Sequence, residues 1–170
     1  MSESGESIDQ AIRKTTMIEG KYLTFILKEE SYGIGILKVK EIIGMMPITS
    51  VPRTPDFVKG IVNLRGKVIP VLDLRLRFGM APMDYTDRTC IIVVELDKDG
   101  ETIMVGIVVD AVSEVLNIKE EEIEETPAFG ARIETSYIMG MAKVDKGVKI
   151  LLDIDRVLSG DEVNALGKTA

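Results

Sequence analysis

The chain carries one short pattern twice. Gly33-Ile34, followed by Val39-Lys40-Glu41-Ile42, returns as Gly106-Ile107 followed by Val112-Ser113-Glu114-Val115, displaced by 73 positions. Thr54-Pro55-Asp56-Phe57 returns as Thr126-Pro127-Ala128-Phe129, displaced by 72. Val68–Leu74 (VIPVLDL) returns as Val148–Ile154 (VKILLDI), displaced by 80, so about eight residues are inserted in the second copy after Phe129. Apolar strands resemble one another by chance, but three matches in order, each with a polar anchor, favour duplication. Either copy alone is too small to bury a full set of strand faces, so two such units are expected to share a core.

The kind of unit follows from branching at Cβ. The chain has 21 Ile and 17 Val against 13 Leu and 8 Ala. Such side chains are stiff at χ1 and suit pleated, half-buried strands, so the fold class is all-β, or mainly β. Lys21–Lys28 and Tyr32–Ile36 read as a hairpin around Glu29-Glu30-Ser31. Val39–Ile43 fits a strand or a helical turn. Thr54-Pro55-Asp56 has the form of a short helix start, with Thr54 as N-cap. Ile61–Leu64 and Val68–Leu72 form a hairpin about Arg65-Gly66-Lys67, and Asp73 caps a one-turn helix over Leu74–Phe78 closed by Gly79. After a polar connector, 80–89, Cys90–Leu96 and Thr102–Val109 form the clearest hairpin, turning through Asp99-Gly100. A last hairpin, Tyr137–Val144 with Val148–Leu152, leads to a short helix over Asp153–Leu158. Residues 1–19 are expected to be a flexible, solvated tail with at most a transient helix around Ile8–Ile18, and 159–170 a second tail or a short helix.

At 170 residues the chain is expected to be one compact unit with short tails. Asp and Glu number 28 against 21 Lys and Arg, a formal charge of −7, which makes nucleic acid a poor partner. There is no histidine and a single cysteine, Cys90, so histidine-dependent triads, Cys/His zinc sites and internal disulfides lack their residues. No cofactor is implied. No uncharged apolar run approaches the length of a membrane span, and the acidic start is unlike a secretory signal, which points to a cytoplasmic protein without direct membrane insertion.

Few motifs carry chemistry. Gly33-Ile34-Gly35 lacks the third glycine of a dinucleotide loop, and Asp97, Asp99 and Glu101 fit a hairpin turn better than a calcium loop. Glu120–Glu125 reads as a charged face or edge that discourages aggregation. Asp84 and Asp87, with Glu41 and a metal, define an alternative reading as a small carboxylate-dependent hydrolase; a generic β-barrel peptide-binding module is another. The copies differ most at one turn: Arg65 of the first faces Asp145 in the second. A turn needed for folding alone would tolerate either residue, whereas an Arg held at a hairpin tip can donate a planar fork to a partner.

Residues 21–158 resemble the bacterial chemotaxis coupling protein family, CheW. The resemblance lies in Tyr32–Ile42 (YGIGILKVKEI), Ile48–Asp73 (ITSVPRTPDFVKGIVNLRGKVIPVLD), Val105–Val115 (VGIVVDAVSEV) and Leu151–Leu158 (LLDIDRVL). It implies a CheW-like domain over 20–158, built as two interlocked five-stranded SH3-like β-barrels with a few short helices. The repeats near 22–79 and 90–158 then need not be separate units. It implies a non-catalytic scaffold, which couples the cytoplasmic hairpin tip of a chemoreceptor (a methyl-accepting chemotaxis protein) to the regulatory domain of the chemotaxis histidine kinase and helps to assemble the signalling array. The receptor-binding groove would include Val39, Glu41, Ile42, Arg65 and Val115, with Arg65 and Glu41 as polar anchors. The kinase-binding edge would include Ile48, Thr49 and Gly60, supported by Pro55 and Phe57.

Overall fold

The computed structural model describes residues 19–125, 136–145 and 147–158. The expectations for Ile8–Ile18, for Thr126–Phe129 and for 159–170 lie outside these residues. Eleven strands are present among them: β1 Gly20–Leu27, β2 Glu30–Gly35, β3 Val39–Gly44, β4 Val58–Leu64, β5 Lys67–Asp73, β6 Cys90–Lys98, β7 Glu101–Val109, β8 Ala111–Ile118, β9 Ile123–Glu124, β10 Ile138–Val144 and β11 Gly147–Leu152. Two single-turn helices follow β5 and β11: α1 Leu74–Arg77 and α2 Ile154–Val157.

Local rules account for most of these. Arg65-Gly66 and Asp99-Gly100 both take positive φ at each central residue, the geometry that matches strand twist in a two-residue hairpin. Lys28 and Glu29 do the same at φ 49° and 68°, so the first turn falls two residues earlier than Ser31 suggests. Asp73 accepts hydrogen bonds from the Arg75 and Leu76 backbone N–H groups, and Asp153 accepts from Arg156 N–H, so both helices start on the expected cap. Val39–Ile43 is a strand, alternating half-buried and exposed side chains. Thr54-Pro55-Asp56 is a turn rather than a helix: Val58 N–H donates to Pro55 O and already begins β4, leaving no room for a helical turn.

The strands form two sheets, ordered β8-β1-β2-β11-β10-β9 and β3-β6-β7-β5-β4. The duplicated copies have exchanged strands. The second sheet is one continuous stretch, Val39–Val109, whereas the first takes β1 and β2 from the chain's beginning and everything else from 111–152. The exchange is carried by two parallel pairings, β5 with β7 (Val71 opposite Gly106) and β11 with β2 (Leu151 opposite Gly33). These are the same contact seen twice, since 71 and 151 differ by 80 and 33 and 106 by 73. The first sheet carries a sixth strand, the two-residue β9. Its counterpart in the second is a single bridge, Thr49 to Ile61.

Strand alternation divides the apolar residues among three cores. Leu23, Phe25 and Leu27 of β1, with Ile92, Val94 and Leu96 of β6, enter a large core fed by both sheets. Ile91 and Val93 point the other way, into a core made by the second sheet alone with Val62, Ile69 and Val71. Tyr22, Ile118, Ala142 and Leu151 form the corresponding core of the first sheet. β6 is therefore buried on both faces, and the largest core is the one the copies share. Arg77 sits at that junction. Its guanidinium lies 5.1 Å from the Phe57 ring centroid and 5.4 Å from that of Tyr137, and its Nε donates to Val157 O at 3.0 Å. Phe57 and Tyr137 are themselves displaced by 80, and their carbonyls accept from Asp73 N–H and Asp153 N–H. One arginine thus clamps equivalent aromatics of both copies, and the counterpart of Phe57 beside the cap is Tyr137 rather than the Phe129 of the sequence match.

Candidate functional site

The polar centre of the expected receptor groove is assembled by a long-range contact. β3 and β4 lie at opposite ends of the second sheet's strand order. The chain after β3 nevertheless turns back onto β4, where Thr49 N–H donates to Ile61 O and Ile61 N–H to Thr49 O, both at 2.9 Å. This return places the β4–β5 tip beside β3, and Arg65 Nη2 donates to Glu41 Oε1. Asn63 Oδ1 accepts from Gly66 N–H at 2.9 Å and stiffens the tip. The Arg65 side chain remains 70% exposed against 31% for Glu41, so most of the guanidinium fork still faces solvent.

Two of the apolar candidates are exposed, one on each sheet. Ile42, next to Glu41, is 44% exposed; Val115, its mate in the repeat, is 51% exposed on β8. Each sits on the outer strand of its sheet, β3 in one and β8 in the other. Val39 instead packs on the shared core and supports β3 from beneath. Large apolar side chains on an edge strand are unusual in a solitary domain and fit a surface that is covered part of the time.

The second expected surface converges as well. Gly60 is buried, with φ +141°, and a Cβ there would lie 2.0 Å from Thr49 O and 3.0 Å from Ile48 Cγ2. Only glycine lets the Thr49 backbone approach β4 this closely. Thr49 is exposed and Ile48 half-buried, so both are presented at the surface. Phe57, 7% exposed, belongs to the core, and Pro55 accepts the turn bond from Val58. Ile48 and Thr49 are thus held at the surface by the buried Gly60, with Ile48 resting on the second sheet's own core, whereas Phe57 packs in the shared core.

The carboxylates of the hydrolase reading do not gather. Asp84 and Asp87 are exposed on the connector, Glu41 is engaged by Arg65, and among the described residues no three acidic or thiol side chains are grouped to hold a metal. Burial pushes the Cys90 thiol up, against a partly offsetting Val112 backbone hydrogen bond, opposite to what a reactive thiolate needs. Among the described residues no helix is long and apolar enough to cross a membrane.

Sequence reasoning missed an ion pair that joins the sheets. Arg75 Nε and Nη2 donate to the Asp110 carboxylate at 2.7–3.0 Å, and Asp110 Oδ2 also accepts from Lys28 N–H in the β1–β2 turn. Burial alone would raise the Asp110 pKa. The Arg75 and Lys28 hydrogen bonds and the Arg75 charge outweigh that and hold it below the usual carboxylate value. The partners lie 35 positions apart, and no local pattern announces them.

An all-β module with two exchanged sheets and an ion-paired hairpin tip beside an exposed isoleucine has the form of a binding scaffold. The model of the CheW-like domain matches residues 21–162. The chain is 40% identical over 150 residues to the chemotaxis protein CheW of Klebsiella aerogenes, covering 88% of each chain. It is 32% identical over 138 residues to that of Bacillus subtilis, covering 81% of this chain and 86% of the relative. The crystal structure of the scaffolding protein TtCheW from Thermoanaerobacter tengcongensis superposes with a TM-score of 0.73 at 38% identity, covering 85% of this chain and 95% of the other. The chain belongs to the CheW family and is a chemotaxis coupling adaptor.

Proposed function

We propose that this chain acts in the cytoplasm, without making or breaking bonds, as a bridge between the hairpin tip of a chemoreceptor and the regulatory domain of the chemotaxis histidine kinase. Residues 20–158 act as one module, since strand exchange leaves neither copy a sheet of its own. Receptor helices lie along the exposed edges bearing Ile42 and Val115, with Val39 beneath, while Arg65 and Glu41 fix their register. An amphipathic helix is well suited to an apolar slot with a charged pin. The kinase domain meets the patch of Ile48, Thr49 and Gly60, propped by Pro55 and Phe57.

The observation that carries the reading is the Arg65–Glu41 pair. Its arginine sits on a rigid two-residue turn, 70% exposed, beside an exposed isoleucine. The test is a titration of a receptor cytoplasmic fragment against the Arg65→Glu variant. Glu41 then faces a like charge, and reversing such an anchor is expected to weaken capture at least tenfold, or about 1.4 kcal/mol. Stability should fall by no more than about 1 kcal/mol, because the pair lost is an exposed one. Capture equal to that of the natural chain would remove Arg65 from the interface.

A further inference from the structure

The chain crosses between the sheets twice, and each crossing leads straight into an outer strand. Ile36–Lys38 carries it from β2 into β3, the strand of Glu41 and Ile42, and Asp110 carries it from β7 into β8, the strand of Val115. Each crossing is stapled to a short helix just beyond its Asp cap. Asp110 is held by Arg75, two residues after Asp73, and Lys38 Nζ is held by Asp155 Oδ2 at 2.7 Å, two residues after Asp153. Displacement by 80 carries Arg75 to Asp155, so the staples are equivalent joints with their charges exchanged. At the position of Asp110 the first crossing has Leu37, 92% exposed, and the pairing passes to its neighbour Lys38.

The two joints are not equally firm. Both oxygens of Asp110 accept from the Arg75 fork, Oδ2 accepts from Lys28 N–H as well, and the paired side chains are only 12% and 16% exposed. Lys38 offers a rotating ammonium in place of a planar fork. Its pair is 31% and 36% exposed, and Asp155 Oδ1 is buried with no hydrogen-bond partner among the described residues. Lys38 also has a second acid within reach, Asp97 Oδ2 on β6 at 3.6 Å. Burial alone would lower the Lys38 pKa; the hydrogen bond and charge of Asp155, with a smaller contribution from Asp97, outweigh burial and raise it. Asp155 follows β11 of the first sheet, whereas Asp97, like β3, belongs to the second. Bonded to Asp155, Lys38 ties the start of β3 to the first sheet; bonded to Asp97 alone, it leaves β3 to the second. One ammonium with two discrete partners is the basis of a two-state joint. We propose that Lys38 and Asp155 form a releasable latch at the first crossing and are positioning residues for the receptor-facing strand. Closed, the latch fixes Glu41 and Ile42 relative to Val115 across the sheets; open, it frees them while Arg75–Asp110 keeps β8 in place. Its effect on receptor capture rests on the bridging role proposed above, but the latch itself does not.

Amide hydrogen exchange on the full chain tests the latch without receptor or kinase. In Lys38→Gln and in Asp155→Asn, amides of 36–42 are expected to exchange on the order of tenfold faster while those of 111–116 stay unchanged, and Lys38→Arg should restore the protection. Asp97→Asn should leave both segments as they are, because it removes only the alternative partner. Raising salt from about 0.05 M to about 0.5 M should loosen 36–42 in the natural chain and add nothing in Lys38→Gln, since a half-exposed pair is screened. The natural chain's response to salt still decides the matter if a variant fails to fold. Exchange of 36–42 indifferent to Lys38→Gln and to salt would overturn the proposal, as would Asp97→Asn loosening the segment as much as Asp155→Asn. In a titration with a receptor cytoplasmic fragment, Lys38→Gln should bind severalfold more weakly than the natural chain and Lys38→Arg equally well. Equal capture by Lys38→Gln would overturn the positioning role, whereas absence of capture by the natural chain would count against the bridging role instead.

Discussion

Replacing Gly60 with alanine probes the joint on which the second sheet's return depends. An added Cβ would lie 2.0 Å from Thr49 O and 2.7 Å from Thr49 C, where ordinary contact begins near 3.4 Å. The obstacle is backbone and cannot rotate away, so the Thr49 segment must retreat by more than an ångström. That breaks the two 2.9 Å bonds between Thr49 and Ile61, each contributing about 0.5–1.5 kcal/mol. A φ of +141° adds strain of about 1–3 kcal/mol for any L side chain. The sum, roughly 2–6 kcal/mol, is large beside the typical stability of a domain. Denaturant unfolding with an unchanged m-value would read it as a shifted midpoint. Gly66→Ala is the control: φ is +88° but nothing lies within 4 Å of its Cβ, so only backbone strain of about 1–2 kcal/mol is expected. Similar losses for the two variants, or a Gly60→Ala loss within about 0.5 kcal/mol of zero, would refute the close-approach argument.

Two further substitutions test the joints between the sheets. Asp110→Asn removes the charge that holds Arg75 and should cost about 1–3 kcal/mol at neutral pH. Because the folded pKa of Asp110 is depressed, its contribution is fully present above the unfolded carboxylate value. It is lost as pH falls through the folded one, so the gap between natural and variant chains should close below about pH 4 in acid unfolding curves. A gap independent of pH would mean the carboxylate charge is not what stabilises the joint. Arg77→Ala should cost roughly 2–3 kcal/mol by losing two ring contacts and the bond to Val157 O. Arg77→Lys should recover less than half of this, since an ammonium cannot stack as a plane or donate from Nε; full recovery would show that charge alone suffices.

Much of the fold was legible because its causes are local. Arg65-Gly66 and Asp99-Gly100 demand positive φ, Asp73 and Asp153 announce caps, and the Ile and Val runs announce strands. The residues proposed to face receptor and kinase come from the family resemblance rather than from periodicity. The Thr54 motif misled because capping chemistry is shared by helix starts and turns, and only the entry of Val58 into β4 decides between them. Strand exchange could not be read from the repeat. The copies present the same apolar faces, so β5 matches β2 and β7 equally well by pattern, and the choice lies in the path of the chain. Arg75–Asp110 and Arg77 between Phe57 and Tyr137 were invisible for a related reason: the partners are distant in sequence and each alone resembles a solvated charge.

The coupling role faces its most direct trial in a three-component sedimentation. The kinase is spun with a sedimentable receptor fragment in the presence and absence of this chain. The kinase is expected to enter the pellet in proportion to the chain added, and Arg65→Glu to abolish the increment. A pellet that collects the chain but no additional kinase would contradict it.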